Sequence, residues 1–328
     1  MAGGQERILR QRIRSINATK KITRAFELIA ASRIVRAQQR VHAAQPYSDQ
    51  ITDVVRDLAA AGGEVQSPLL VARPDVRRAC HVVIAADRGL SGAYNASVIR
   101  AAEGEIKNDA LRNIGYSLVL IGRKAESYYR FRGYDIDAVY TGFTETPTYE
   151  DARAIAQTVV DLYLAGEVDS VELVYTRFVS AGFQEVVLRP LVPLEHELVA
   201  GGDARPAGEP NADYEFEPSP GTILEVLLPR YIEARIYAAL LNAAASQQAA
   251  RQRAMKAATD NAEELIKKLQ VTANKLRQAS ITTEIMEIVG GAEALRQAGM
   301  GSEKDYLPDT LVTRDVIRDR LDPLGAGR

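Results

Sequence analysis

The chain has 328 residues, 46% hydrophobic and 26% charged, which is enough for a sizeable core and, by length, about two units. Its net charge of −2 argues against bulk attraction to nucleic acid, and the single cysteine, Cys80, excludes an intrachain disulfide and fits a reducing compartment. No run of about 18 apolar residues is present to span a membrane. The N-terminus is Arg-rich and acid-poor but lacks an apolar signal core and runs straight into a helical pattern, so it is expected to be mature sequence.

Residues 5–61 contain no glycine and only Pro46, and predict a long helix. Apolar triplets recur at steps of four and three: Leu9, Ile13, Ile16; Ile22, Phe26, Ile29; Ile51, Val55, Leu58. Lys20 and Arg33 interrupt the stripe, and Pro46 is expected to kink the helix or end a segment. Residues 5–40 carry ten Arg or Lys against Glu6 and Glu27. A solvated face explains that run. Nucleic-acid binding is the weaker reading, because no aromatics are interleaved with the charges. A basic helix with a narrow apolar stripe needs a partner to cover it.

From about residue 76 the pattern changes. Apolar runs at 81–85, 117–121, 171–175 and 185–188 predict strands, with helices at about 93–111, 122–131 and 149–165 between them. This alternation implies an α/β domain of Rossmann-like type with a mostly parallel sheet. The first strand runs into a turn containing Asp87, Arg88, Gly89, Ser91, Gly92 and Asn95. Its glycine spacing is GxxG, which fits neither GxGxxG nor GxxxxGK[ST], so a phosphate loop is a weak reading. Ser91 after a strand suggests a nucleophile elbow, but Ala93 stands where that motif needs glycine, and only His42, His81 and His196 could serve as base. A tight turn in which Asp87 or Ser91 caps backbone N–H groups is the simplest reading. One cysteine and three scattered histidines make no closed zinc site, and no cofactor is expected.

Residues 201–220 are rich in Gly and Pro and read as a linker. Acids are concentrated there, seven in residues 195–217 against Arg205, and Glu195, His196 and Glu197 adjoin it. Residues 231–298 carry no proline and no glycine before Gly290, and predict a second long helix with Pro229 near its entrance. Twelve of the 32 residues at 231–262 are alanine, so a neighbour can approach closely while the helix keeps its stability. Its charge is balanced, nine basic against seven acidic. Helices flanking one domain pair most simply antiparallel, as a coiled coil of unequal arms. The expected division is 1–75, N-terminal helix; 76–200, α/β domain; 201–220, acidic linker; 221–298, C-terminal helix; and 299–328, a tail.

The most specific stretch is Ile281-Thr282-Thr283-Glu284-Ile285-Met286-Glu287-Ile288-Val289-Gly290-Gly291-Ala292. It fits the signature Ile-Thr-x-Glu, an acid three residues on, then Gly-Ala. Lys21-Ile22-Thr23, Ala30-Ala31-Ser32-Arg33, Asp87-Arg88-Gly89-Leu90 with Gly92 and Asn95, Tyr231-Ile232-Glu233 and the run at 254–262 match in order. On these residues the chain resembles the gamma subunit of rotary ATP synthases, bacterial type, up to about residue 295. The resemblance implies a non-catalytic central rotor shaft coupling proton translocation to ATP synthesis or hydrolysis. Its implied partners are three alpha and three beta subunits, an epsilon subunit and a membrane-embedded c-ring. The implied location is peripheral, on the cytoplasmic face of a bacterial plasma membrane. By family match Arg251, Arg277 and Gln278 are expected to touch beta subunits, and Thr282 and Glu284 to support coupling; the alternative to the whole reading is an α/β hydrolase using Ser91. The chain departs from the family in having Phe26 where many relatives carry methionine, Ser91 for a common cysteine, and a tail beyond residue 294 with Gly299, Gly301, Pro308 and Pro323. That tail is expected to be disordered or, more sharply, to contact the stator as a brake.

Overall fold

The computed structural model describes residues 2–60, 67–194 and 219–297. The acidic linker up to residue 218, with Glu195, His196 and Glu197, and the tail at 299–328 lie outside these. The elements in order are α1 (Ala2–Ala60), β1 (Arg78–Ile84), α2 (Tyr94–Leu111), β2 (Gly115–Ile121), α3 (Arg123–Arg132), β3 (Ala138–Tyr140), α4 (Tyr149–Leu164), β4 (Ser170–Phe178), β5 (Gln184–Val192) and α5 (Pro220–Gln297). They form two compact units, residues 18–262 and residues 2–17 with 263–297, so the expected boundaries at 75 and 200 separate elements by type, not compact bodies.

In the larger unit the strand order is β3-β2-β1-β4-β5, parallel except for antiparallel β5. β3, only three residues long, left no sequence signal. Alternation along the strands divides the core. Cys80, Val82 and Ile84 of β1 join one apolar cluster with Ile155 and Val159 of α4, Val55 and Leu58 of α1, and Leu228 and Ile232 of α5. Val83 and Ala85 face the other way, against Val98 and Ile106 of α2 and Tyr129 of α3. The sheet is thus covered on both faces, as a parallel sheet requires. Thr148 caps α4 in a reciprocal capping box with Asp151.

α1 runs through Pro46 without ending. The ring removes one hydrogen bond, to the His42 carbonyl, and both residues face solvent, so water satisfies the freed group. Pro229 likewise lies inside α5, nine residues past its start, not at the entrance. The start is at Pro220, where Ser219 Oγ accepts from the Thr222 N–H at 3.3 Å, a serine cap followed by a first-turn proline.

Within the larger unit the sheltered positions of α1 step regularly by three and four: Lys20, Thr23, Glu27, Ala30, Ile34, Ala37, Val41, Ala44, Ser48, Ile51, Val55, Leu58. This is an unbroken heptad seam. It corrects the sequence reading at Ile22, Phe26 and Ile29, which are exposed. Lys20 does not break the stripe; it belongs to it, and the apolar triplet lies one step around the helix. The facing helix explains the choice. Thr23 Oγ1 lies 2.8 Å from Thr259 Oγ1, and the Thr52 hydroxyl lies beside the Tyr231 phenol, so α1 and α5 run antiparallel. Small and polar side chains suit this close approach. At residues 231–250 every α5 side chain is buried or half-buried.

In the smaller unit Leu9, Ile13 and Ile16 of α1 are half-buried, and Ile266, Leu269, Ala273 and Leu276 of α5 are sheltered at the same spacing. From 281 to 297 every residue of α5 is exposed.

Candidate functional site

The turn at 87–95 sits at the C-terminal end of β1. Asp87 is its organiser. Its carboxylate accepts from the Gly142 N–H at 2.9 Å, the Thr144 N–H at 3.1 Å, Thr144 Oγ1 at 2.9 Å and the Arg123 N–H at 3.2 Å. Burial works against the charged form, but these four donors outweigh it and hold Asp87 below the usual carboxylate range. Asn95 Oδ1 accepts from the Ala86 N–H at 2.9 Å and closes the other side. So Asp87 caps α3 and the 142–144 loop, while Ser91 offers the Tyr94 N–H only its backbone carbonyl. Gly122 makes the approach of the strand ends possible: its φ is +93°, and a Cβ there would meet the Ala85 carbonyl at 2.5 Å. Gly92, also left-handed at φ +56°, sits against α5, where a Cβ added to it would stand 3.5 Å from that of Ala254.

The loop held by Asp87 reaches the helix pair through Glu145. Its carboxylate meets Arg33 of α1 at 2.5 Å and Arg251 of α5 at 2.8 Å. Arg251 is only 6% exposed. It also donates to Gln248 Oε1 at 3.2 Å and to the Gly89 carbonyl at 3.4 Å. One arginine therefore joins α5, the turn and the loop, and one glutamate clamps α1 to α5. Further ties fix the buried stretch of α5. Tyr94 donates to the Ala243 carbonyl, Ser246 to the Thr176 carbonyl, and Asn242 accepts from the Phe178 N–H. The sheet edge is thereby coupled to both helices without a nucleophile–base pair.

Ser91 itself is buried with its hydroxyl unpartnered. The cavity it lines carries Thr176, Gln184 and Arg253 but no histidine. His81 is engaged elsewhere, with Nε2 3.1 Å from Asp109 and Nδ1 3.5 Å from Glu172. His42 stands exposed on α1. The hydrolase reading finds no support in this geometry. Burial, opposed by the Ser117 hydroxyl, pushes the Cys80 thiol up to about 12, so it is no nucleophile at neutral pH.

The structure divides the expected contact residues. Arg251 belongs to the internal junction just described. Arg277, Gln278, Thr282 and Glu284 lie in the smaller unit, all exposed, with Thr282 Oγ1 donating to the Gln278 carbonyl at 2.9 Å. Around them Ile281, Ile285, Met286, Ile288, Val289 and Leu295 are exposed, Ile288 at 72%. Of the turn residues, Asp87, Gly89, Gly92 and Asn95 all make internal contacts, whereas the Arg88 side chain is exposed. Sequence reasoning missed Glu145 and Gln248. Glu145 sits in a short polar loop without pattern, and only its two arginine partners give it meaning.

A family model described as ATP synthase matches residues 5–295. The chain is 50% identical over 298 residues to a protein of Frankia casuarinae named ATP synthase gamma chain, covering 89% of this chain and 98% of that one. It is also 50% identical over 303 residues to the protein of the same name from Acidothermus cellulolyticus, covering 90% and 99%. Among solved structures, a chain of the Euglena gracilis mitochondrial ATP synthase is similar with a TM-score of 0.64 at 16% identity, covering 93% of this chain and 99% of that one. A chain from the central stalk and c-ring of the Tetrahymena thermophila mitochondrial ATP synthase is similar with a TM-score of 0.53 at 23% identity, covering 72% and 99%.

Proposed function

The chain belongs to the ATP synthase gamma-chain family, and from that premise we propose that it is the non-catalytic central rotor shaft of a bacterial ATP synthase. The observation that carries the proposal is the helix at 281–297, exposed on every side while bearing six large apolar residues. Such a surface needs cover from another chain. A sleeve of three alpha and three beta subunits supplies it. A single asymmetric shaft cannot contact three beta subunits alike, so each turn favours a different conformation of each; that differential contact is what coupling requires.

In this reading Arg277 and Gln278 meet the beta subunits, and Thr282 and Glu284 support coupling at the tip. Arg251 serves the same contact from inside, by fixing the 87–95 turn and Glu145 against α5. Asp87, Gly89, Gly92 and Asn95 keep the α/β domain joined to the helix pair, and Arg88 lies on its surface. That domain is proposed to face the epsilon subunit and the c-ring, so that proton flow turns the helices. Among the described residues no helix is long and apolar enough to cross a membrane, which suits a peripheral subunit at the cytoplasmic face.

Mixing the full chain with alpha and beta subunits from the same source and weighing the product tests this. One copy per three alpha and three beta subunits is expected, with ATPase activity appearing only in the complex. A chain that stays separate from correctly assembled alpha and beta subunits would overturn the reading. Removing residues 299–328 tests the proposed brake: faster ATP hydrolysis by the assembled complex is expected, and an unchanged rate with unchanged coupling removes the idea.

A further inference from the structure

Four tyrosines pack in a row on the α2–α3 face of the sheet, and none of them takes part in the junction at Glu145 and Arg251. Tyr116 of β2 meets Tyr134, just past α3, with ring centres 5.7 Å apart. Tyr134 meets Tyr129 of α3 at 5.2 Å, and Tyr129 meets its neighbour Tyr128 at 5.5 Å. Each pair is edge-to-face, a favoured geometry for aromatic rings in contact. Tyr129 is fully buried, and the other three are half-buried.

Glu103 of α2, only 7% exposed, sets this row apart. Each of its carboxylate oxygens accepts from a different phenol, Oε2 from Tyr128 at 3.0 Å and Oε1 from Tyr134 at 3.2 Å. Arg132 stands 3.7 Å from Oε1. Burial, with Glu103 alongside, raises the pKa of both phenols, so each carries its proton at neutral pH. Tyr129 donates to the Ile99 carbonyl at 3.4 Å, and the Tyr116 oxygen accepts from the Asp135 N–H at 3.3 Å; neither contact offers a base. Tyr149 shows a lesser form of the arrangement, with Glu233 at 2.8 Å and the Tyr237 ring at 5.6 Å. There one phenol shares its carboxylate with Arg230 and Arg153, whereas two phenols share Glu103. A phenol that gives up one electron becomes a strong acid and must lose its proton. A carboxylate already within hydrogen-bond reach can take it without solvent, and ring contact lets the electron deficit pass between neighbours.

We propose that Tyr128 and Tyr134 form a one-electron oxidation and nitration site, with Glu103 as proton acceptor and Tyr129 as the ring that joins them. The oxidant is a carbonate radical anion. The phenol gives it one electron, carbonate leaves as the dianion, and the phenolic proton moves to Glu103, leaving a neutral tyrosyl radical. Nitrogen dioxide, itself a radical, then forms a C–N bond at the ring carbon beside the C–O carbon. The hydrogen of that carbon moves to the oxygen and restores the phenol, and Glu103 returns its proton to solvent.

The test exposes the full-length chain to peroxynitrite in bicarbonate buffer, which releases both radicals, and quantifies nitrated tyrosines by peptide mass spectrometry. Exposure alone would favour Tyr47, which is 51% exposed. Tyr128 and Tyr134 are expected to be nitrated ahead of it. Glu103→Gln keeps an acceptor oxygen for a phenol but cannot take the proton. It should lower nitration at both tyrosines several-fold with the circular dichroism retained. Glu126→Gln, on α3 but paired with Arg130, should leave both unchanged. Tyr128→Phe should raise nitration at Tyr134, because the electron deficit has one fewer place to rest, and this variant decides the matter if Glu103→Gln does not fold. Nitration of Tyr47 ahead of both would overturn the proposal. So would an unchanged pattern in folded Glu103→Gln, an equal loss in Glu126→Gln, or an unchanged yield at Tyr134 in Tyr128→Phe.

Discussion

Two stretches of α5 invert the usual relation between side-chain size and burial. Residues 231–250 are rich in alanine, yet they are sheltered on all sides and tied to the sheet through Tyr94, Ser246 and Asn242. Residues 281–297 carry isoleucine, methionine and leucine, yet they are exposed throughout. Small residues mark the place where the chain closes on itself, because only a thin helix passes between α1 and the sheet edge. Large apolar residues mark a stretch that no other described residue covers, which is the surface the proposed shaft would offer to another chain.

The strongest attempt to break this contrast is made at the inner stretch's polar end. Arg251→Ala leaves Glu145 with Arg33 alone and leaves the Gln248 and Gly89 carbonyl oxygens short of a donor. The expected loss is about 3–5 kcal/mol in urea unfolding. A loss below about 1 kcal/mol would mean that the junction is ordinary surface and does not fix the helix pair. Next comes Ala245→Leu, at a position with no exposure. Overpacking there is expected to cost about 1–3 kcal/mol, and a neutral result would mean the helix has room that its burial denies.

Much of this was legible in the sequence. The two long helices, three of the intervening helices and four of the strands follow from periodicity and from where Gly and Pro fall. The seam of α1 was legible at Ile51, Val55 and Leu58 but not at 20–29, where it passes through Lys20, Thr23 and Glu27, which no hydrophobic pattern selects, while Ile22, Phe26 and Ile29 imitate a seam one step away. Burial in a coiled coil follows backbone register and the size of the partner's side chains, and polarity alone does not reveal it. Neither proline ends its helix, for a related reason. Each removes a single hydrogen bond, which at an exposed carbonyl a long helix tolerates. The role of Asp87 was half legible: a capping carboxylate was foreseen, but its caps lie on β3–α4 loop residues and on α3, across the sheet edge.

A pH series sharpens the role of that carboxylate. Asp87 titrates below the usual range when folded, so it contributes stability above its unfolded value near 3.9, and that contribution is lost as pH falls through the lower folded value. Asp87→Asn should therefore cost about 1–2 kcal/mol near neutral pH. The gap between wild type and variant should close toward acid. A gap constant with pH would show that the hydrogen bonds, and not the charge, hold the 142–144 loop.

The smallest effect on stability is the most informative for the contrast between the two stretches. Ile285 is 54% exposed in this chain, so Ile285→Ser removes little packing from the free protein. Its unfolding free energy should change by no more than about 0.5 kcal/mol. In the complex the same side chain would be covered, and losing it should weaken assembly with alpha and beta subunits about tenfold, as for a buried apolar anchor. The two measurements have to disagree for the reading to hold. If the free chain is destabilised as much as the assembly, the 281–297 helix packs on its own chain in solution, and its apolar face says nothing about a partner. If neither changes, the face is covered by nothing that depends on it. Only a variant silent in the free chain and costly in the complex identifies those exposed residues as one half of an interface.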